Sequence, residues 1–96
     1  MFRARFVIFG SVQGVGYRSF VKRTAIMSRL NGYVRNMLDG TVEVVAEANE
    51  KQELEDFRNK LNKKAVGGFD DINVERIDGE IKESESAEFS SFDLKF

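Results

Sequence analysis

The sequence predicts an α+β fold in which two helices are interleaved with strands along a chain of 96 residues. Segments near the beginning and the end of the chain alternate apolar with other side chains at every second position, as half-buried strands do. Two other segments repeat apolar residues at helical spacing. Both periodicities in one short chain, separated by turn residues, are typical of helices packed on one side of an antiparallel sheet.

The N-terminal third predicts a strand, a glycine-rich turn and a helix. Every second side chain of the first segment is apolar, which puts one face of the strand in the core: Phe2, Ala4, Phe6 and Ile8. The turn is the stretch 10–18, Gly-Ser-Val-Gln-Gly-Val-Gly-Tyr-Arg. Residues 17–29 then repeat apolar residues at helical spacing, so a helix is expected directly behind the glycines.

A short hairpin is predicted next. Asn31-Gly32 is expected to make a turn, and residues 33–36 a short strand. Asp39-Gly40 has the composition of a hairpin turn. Residues 41–48 are rich in β-branched side chains and predict the partner strand.

The second helix carries its own start signal. Asn49 is expected to cap it, with Gln52 three residues later as in a capping box. The apolar residues that follow lie at i, i+3 and i+7 and predict one buried stripe: Leu54, Phe57 and Leu61.

The remaining residues predict the end of the fold. Gly67-Gly68 is expected to end the helical region, and residues 71–77 alternate as a strand does. The acidic segment 78–88 is expected to be an exposed, mobile loop. Residues 92–96 predict a last strand, so the final β element could be split into a hairpin. The order β-α-β-β-α-β is the ferredoxin-like pattern, an antiparallel sheet with both helices on one face, and residues 1–96 are expected to form one domain.

Composition excludes several kinds of chemistry. The chain has no cysteine and no histidine, so it offers no disulfide, no thiolate nucleophile, no phosphohistidine and few ways to hold zinc. No apolar run approaches the ~20 residues of a membrane span. The strand pattern begins at Phe2 without the layout of a signal peptide, and we therefore expect a cytoplasmic protein.

The glycine-rich stretch predicts a site for an anion. Gly14 and Gly16 can adopt positive φ, which lets successive backbone N–H groups point into one concavity, and the helix behind them adds the positive end of its dipole. Arg18 adds a fixed positive fork. Residues 1–48 carry seven basic and three acidic side chains, against eight and thirteen in residues 49–96, so the stretch lies in the positive half. The same glycines would also suit a tight turn that serves only the backbone.

Two nucleotide motifs are excluded at this stretch. A P-loop would end in Gly-Lys-Ser/Thr, where this chain has Tyr17-Arg18-Ser19. A dinucleotide fingerprint would place a third glycine at Ser19. The stretch therefore suits one anion of phosphate size.

Asn36 is the second candidate for chemistry. Its strand belongs to the same predicted sheet as the first strand, so its end could lie near the glycines. A carboxamide there could hold and orient a water without taking its proton. The alternative is an asparagine that starts a turn and bonds its own backbone.

The two stretches together resemble the acylphosphatase family. Residues 10–18 match its signature Gly-x-Val-Gln-Gly-Val-Gly-(Phe/Tyr)-Arg, and residues 32–42 match Gly-aromatic-Val-x-Asn-x-x-x-Gly-x-Val. The resemblance implies hydrolysis of acyl phosphates to a carboxylate and inorganic phosphate. It assigns phosphate binding to Arg18 and orientation of the water to Asn36. The amides of the loop would bind substrate, at Gln13, Gly14, Val15, Gly16 and Tyr17.

The resemblance also implies what the reaction does without. It implies no metal, no cofactor and no covalent phosphoenzyme, and a small acyl phosphate as the partner. A carboxylate leaves readily because its pKa is near ~4, so no general acid is required. A phosphate ester would need an acid or a metal. A chain with Arg18 and Asn36 but no histidine or cysteine therefore suits an acyl phosphate better than an ester.

The chain departs from the family's usual pattern at two places. Arg29 stands where the family usually has a glycine, and a positive φ there would cost ~1 kcal/mol. Gly67-Gly68-Phe69 stands where the family often has Gly-Pro-Pro. Neither change touches Arg18 or Asn36. Tyr17 could wall the anion site or fill the core, and the core is the favoured interpretation.

Two other functions fit the fold class. The first is a non-catalytic anion-binding module, as in the acylphosphatase-like domains at the N-terminus of larger hydrogenase-maturation proteins; we expect no further domain here, which counts against it. The second is RNA binding, which the sequence pI of about 5.5 and the absence of the aromatic RNP pattern disfavour. We therefore expect a monomer that contacts neither nucleic acid nor a membrane.

Overall fold

The computed structural model describes residues 1–64 and 71–96, which form five strands and two helices. In chain order these are β1 (Phe2–Ser11), α1 (Tyr17–Met27), β2 (Asn31–Asn36), β3 (Val42–Ala48), α2 (Lys51–Leu61), β4 (Asn73–Glu83) and β5 (Phe92–Lys95). The predicted order of elements is confirmed. The expected turn at Gly67-Gly68, and Phe69 beside it, lie outside the described residues.

The strands form one sheet in the order β4-β1-β3-β2-β5. β1 is antiparallel to both β3 and β4, and β2 is antiparallel to β3. β5 is parallel to β2, so the sheet is antiparallel except at this edge. β4 and β5 lie at opposite edges and therefore do not form the hairpin that the sequence left open.

Both helices lie on one face of this sheet, as predicted. α1 packs on β2 and β5, α2 packs on β1, β3 and β4, and the two helices contact each other. The largest fully buried side chains between the layers are Tyr17, Phe6, Phe57, Ile8, Leu54 and Leu61. The predicted stripe of α2 is thus confirmed, as is the inward face of β1.

The acidic segment after residue 77 is more ordered than expected. β4 continues to Glu83 and pairs with β1 along its length, from Ser11↔Asn73 to Phe2↔Glu83. The prediction of a loop over residues 78–88 is wrong for its first half, because an edge strand tolerates charged side chains on its exposed positions. In the second half, the N–H groups of Glu88 and Phe89 donate to the carboxylate of Glu47 on β3 at 3.0–3.1 Å.

Two predicted turn and cap positions are shifted. Asn31-Gly32 begins β2 instead of making a turn, and the chain reverses at Ser28-Arg29. The N-cap of α2 is Glu50 and not Asn49. Glu50 forms a reciprocal capping box with Glu53, which satisfies two backbone donors at once.

The other face of the sheet holds a buried carboxylate. Glu43 on β3 accepts hydrogen bonds from Arg5 Nε at 2.6 Å, Arg35 Nε at 2.7 Å and the Tyr33 hydroxyl at 3.0 Å. Burial alone would raise the pKa of Glu43, but these three bonds outweigh it and hold the pKa below its ordinary value. This face is therefore polar but internally paired.

Candidate active site

The C-terminal ends of β1, β2 and β5 lie at the same end of the sheet. β1 and β2 are both antiparallel to β3, and β5 is parallel to β2, so all three run in one direction. The glycine-rich stretch follows β1, Asn36 ends β2 and Lys95 ends β5. The topology therefore brings together residues that are far apart along the chain.

These ends enclose a small cavity of about 110 Å³. It is lined by Val12, Gly14, Gly16, Tyr17, Arg18, Ser19, Asn36 and Leu94. Ligand pockets for drug-sized molecules typically measure ~300–1,000 Å³. The cavity is thus suited to a group such as a phosphoryl group and not to a nucleotide.

Several larger grooves lie elsewhere on the described surface. One of about 650 Å³ lies against the face of the sheet that carries Arg3 and Arg5, and one of about 580 Å³ lies between α2 and β4. Neither contains Arg18 or Asn36. The guanidinium groups of Arg3 and Arg5 are already paired with Glu47 and Glu43. We therefore place the candidate site in the small cavity.

The glycine-rich loop supplies backbone donors to this cavity. Gly14 has φ 74° and Gly16 has φ 82°. A Cβ added at either would meet nothing within 4 Å, so the glycines are required by the backbone conformation and not by lack of space. Within the described residues, no acceptor bonds the N–H groups of residues 14–19, and the first helical bond of α1 is Phe20 N–H to Gly16 O at 3.1 Å. These free donors are typical of an anion site at a helix N-terminus.

Arg18 projects from the first turn of α1 into the wall of the cavity. Its Nη1 donates to the carbonyl of Lys95 at 2.7 Å, and the ring of Phe96 lies 4.8 Å from its Cζ. A guanidinium has five N–H donors, so one contact leaves most of the fork available to a ligand. β5 thus holds the arginine in place without neutralising it.

Asn36 contributes an unpaired polar atom. Its Oδ1 is buried and has no hydrogen-bond partner in the described part of the chain. The turn-forming role that the sequence left open belongs to Asp39, whose Oδ1 accepts from the Thr41 N–H at 3.0 Å and the Thr41 hydroxyl at 2.6 Å. A buried acceptor without a partner costs ~1–3 kcal/mol, so this oxygen is suited to receive a ligand or a water.

The other predicted site residues divide into two groups. Gly14, Gly16 and Tyr17 line the cavity, whereas Gln13 and Val15 do not. The hydroxyl of Tyr17 donates to the carbonyl of Leu61 at 2.8 Å, and burial raises the pKa of Tyr17 far above its ordinary value. The side chain of Tyr17 therefore belongs to the core, as favoured from the sequence, and only its backbone can face a ligand.

Three lining residues are not among the predicted site residues: Val12, Ser19 and Leu94. Val12 lies inside the first signature and Ser19 directly follows it. Leu94 is brought in by the parallel pairing of β5 with β2, with Leu94 opposite Val34. No local pattern indicates that pairing.

The described residues contain neither a cluster of metal-ligating side chains nor a membrane-spanning helix. No group of three or more His, Cys, Asp or Glu side chains among residues 1–64 and 71–96 is placed to hold a metal ion. In the same ranges, neither helix is long and apolar enough to cross a membrane.

Comparison with known proteins identifies the family. The family model for acylphosphatase matches residues 4–94. The chain belongs to the acylphosphatase family. An acylphosphatase of Pasteurella multocida is 35% identical over 96 residues and covers 100% of both chains. The crystal structure of the acylphosphatase from Bacillus subtilis is 32% identical, covers 100% of both chains and superposes with a TM-score of 0.84.

A larger protein contains a similar unit. HypF of T. kodakarensis is 30% identical, with a TM-score of 0.77 over 99% of this chain and 12% of its own length. The acylphosphatases of Pasteurella multocida and Bacillus subtilis are similar to this chain over their entire length, and the activity of this family is hydrolysis of acyl phosphates. The chain is accordingly an enzyme of acyl phosphate hydrolysis with a ferredoxin-like fold.

Proposed function

We propose that the chain hydrolyses a small acyl phosphate by binding its phosphoryl group between the N–H groups of residues 14–19 and the guanidinium of Arg18. Asn36 orients the attacking water through its carboxamide. The observation that carries this proposal is that Asn36 lines the same 110 Å³ cavity as Arg18, and that its buried Oδ1 has no hydrogen-bond partner among the described residues. An acceptor in that place can take a hydrogen bond from a water and leave the oxygen lone pair directed at phosphorus.

The reaction needs little more than this geometry. Phosphoryl transfer depends mainly on positioning and on stabilising charge on the equatorial oxygens, which backbone N–H groups and an arginine supply. The bond between phosphorus and the acyl oxygen breaks, and the carboxylate leaves with both electrons. Because its conjugate acid has a pKa near ~4, the carboxylate leaves without a proton. The attacking water loses its proton to solvent or to the phosphate product.

The test uses benzoyl phosphate and follows release of phosphate in the presence of a chelator. Arg18→Ala is expected to lower kcat/KM by about 10²–10³-fold, the range for losing an oxyanion donor. Asn36→Ala is expected to lower kcat similarly while inorganic phosphate still inhibits at the wild-type concentration. Arg23→Ala and Asn59→Ala make the same chemical changes at exposed helical positions and should leave turnover unchanged.

Three results would overturn the proposal. Full activity of Asn36→Ala would remove the role in orienting water. Full activity of Arg18→Ala would remove the phosphate-binding role. Phosphate binding at millimolar strength without turnover of any acyl phosphate would favour the non-catalytic anion-binding module.

The proposal retains the sequence prediction of a cytoplasmic monomer that contacts no nucleic acid. Size-exclusion chromatography with light scattering tests the oligomeric state. Cell fractionation tests the compartment, and titration with single-stranded RNA at low salt tests whether the protein binds nucleic acid.

A further inference from the structure

The side chain of Gln13 connects the two halves of the site. Its Nε2 donates to the carbonyl of Met37 at 2.7 Å and to the carbonyl of Thr41 at 2.8 Å. Both N–H groups of the carboxamide are therefore used by the turn between β2 and β3. Gln13 itself does not line the phosphate cavity.

The two acceptors, the carbonyls of Met37 and Thr41, belong to the two residues that flank that turn. The Met37 N–H donates to the Thr41 carbonyl at 2.8 Å, and the Gly40 N–H donates to the Met37 carbonyl at 3.2 Å. Met37 directly follows Asn36 in the chain. The position of the Asn36 carboxamide therefore depends on a turn that the phosphate loop holds from the side.

We infer that Gln13 is a positioning residue, which sets the placement of Asn36 relative to the phosphate loop by holding the β2–β3 turn. This inference rests on the proposed roles of Arg18 and Asn36. It gives the Gln13 side chain a role beside the substrate-binding role expected for the loop amides, and it leaves the backbone of the loop free to bind phosphate.

The groups proposed to bind the phosphate make no hydrogen bond with the Gln13 side chain. The loop turns through the positive φ of Gly14 and Gly16, and the Arg18 guanidinium donates to the carbonyl of Lys95. Loss of the Gln13 side chain should therefore displace the water and spare the anion. Since a displacement of 1 Å can lower a rate by about 10²-fold, a loss of kcat between about 10- and 100-fold is expected.

The first variant is Gln13→Met, which keeps the length of the side chain and removes both donors. The expected result is a fall in kcat, with the inhibition constant of inorganic phosphate within about 3-fold of wild type. Gln52→Met is the matched control, because the Gln52 Nε2 donates to Asp56 Oδ1 at 2.9 Å on the exposed face of α2. A purely structural role of Gln13 would lower the melting temperature and leave kcat per folded molecule unchanged.

The second variant, Gln13→Glu, adds a pH readout. Above its pKa the new carboxylate faces two carbonyl oxygens and repels them, whereas the protonated acid can donate to one of them. The kcat of Gln13→Glu relative to wild type should therefore rise as the pH falls, while the same ratio for Gln13→Met stays flat. Asp39, the titratable group of the same turn, has its pKa lowered by hydrogen bonds from Thr41 and stays ionised over pH 5–7.

Each outcome bears on the inference. It is overturned if Gln13→Met is folded and turns over at the rate of Gln52→Met, or if the phosphate constant rises in step with the loss of kcat. If Gln13→Met does not fold, the pH dependence of Gln13→Glu decides, and a flat ratio overturns the inference. A wild-type protein without activity, or an active Asn36→Ala, would instead overturn the proposed function.

Discussion

Replacement of Arg29 by glycine should stabilise the protein. Arg29 has φ 58°, and no other non-glycine residue in the described ranges has positive φ. It follows the C-cap of α1, where the Arg29 N–H donates to Ile26 O at 3.1 Å and the Leu30 N–H to Ala25 O at 2.9 Å. These two bonds form a Schellman motif, in which this position favours glycine.

The magnitude follows from two opposing terms. A non-glycine residue in the left-handed region costs ~1–2 kcal/mol. Glycine also lowers the free energy of unfolding by ~0.5–1 kcal/mol, because it gives the unfolded chain more conformational freedom. Because the Arg29 side chain makes no hydrogen bond or ion pair with the described residues, little else is lost. Arg29→Gly should therefore raise the free energy of unfolding by about 0.5–1 kcal/mol and the melting temperature by about 2–8 °C.

Thermal and urea unfolding followed by circular dichroism measure this change, with Arg23→Gly as the control. Arg23 is exposed in the middle of α1, where glycine costs ~1 kcal/mol, so the same substitution should there be destabilising. The two variants thus differ in sign. If Arg29→Gly destabilised the protein as much as Arg23→Gly does, the assigned strain at Arg29 would be wrong.

Two further substitutions test the rest of the fold. Glu43→Gln should lower the free energy of unfolding at pH 7, because the carboxylate bonded by Arg5 and Arg35 has a lowered pKa. That stabilisation is present above the unfolded-state pKa of about 4.5 and is lost as the pH falls through the folded-state pKa. The free energies of unfolding of wild type and Glu43→Gln, measured by urea unfolding, should therefore converge as the pH is lowered. A constant difference down to about pH 2.5 would contradict this. Tyr17→Phe should cost about 1–3 kcal/mol, because the Leu61 carbonyl loses its donor, and should leave kcat unchanged; weaker inhibition by phosphate would instead place the Tyr17 side chain in the site.

Local sequence patterns predicted the elements that are determined by the spacing of neighbouring residues along the chain. The stripe of α2 and the alternation of β1 follow from spacing alone, and the glycines at positions 14 and 16 adopt the positive φ that their place in the turn required. The N-cap of α2 was missed by one residue. Asn49 caps well by itself, but Glu50 can exchange two bonds with Glu53, and the reciprocal pair prevails.

Long-range pairing decided what the sequence could not. The acidic composition of residues 78–83 indicated a loop, yet their backbone completes the ladder with β1. The place of β5 beside β2 is likewise set by the sheet and by no pattern within residues 92–95. The contact between Lys95 and Arg18 therefore could not be predicted from the sequence. Both signatures, and the residues proposed for catalysis, could be recognised in it.

Among the described residues that line the cavity, Arg18 is the one with a charged side chain, which favours an anion there. Residues 1–38 contain no aspartate or glutamate, and the first turn of α1 has none to compete for its free N–H groups. The acidic residues of β3, Glu43 and Glu47, lie on the face of the sheet opposite the helices, where arginines bind them. In the proposed mechanism, an anion at the loop meets the backbone donors and Arg18. Donors that are in place before substrate arrives need no reorganisation as charge builds on the phosphoryl oxygens, so the proposed site can suffice for a leaving group as good as a carboxylate.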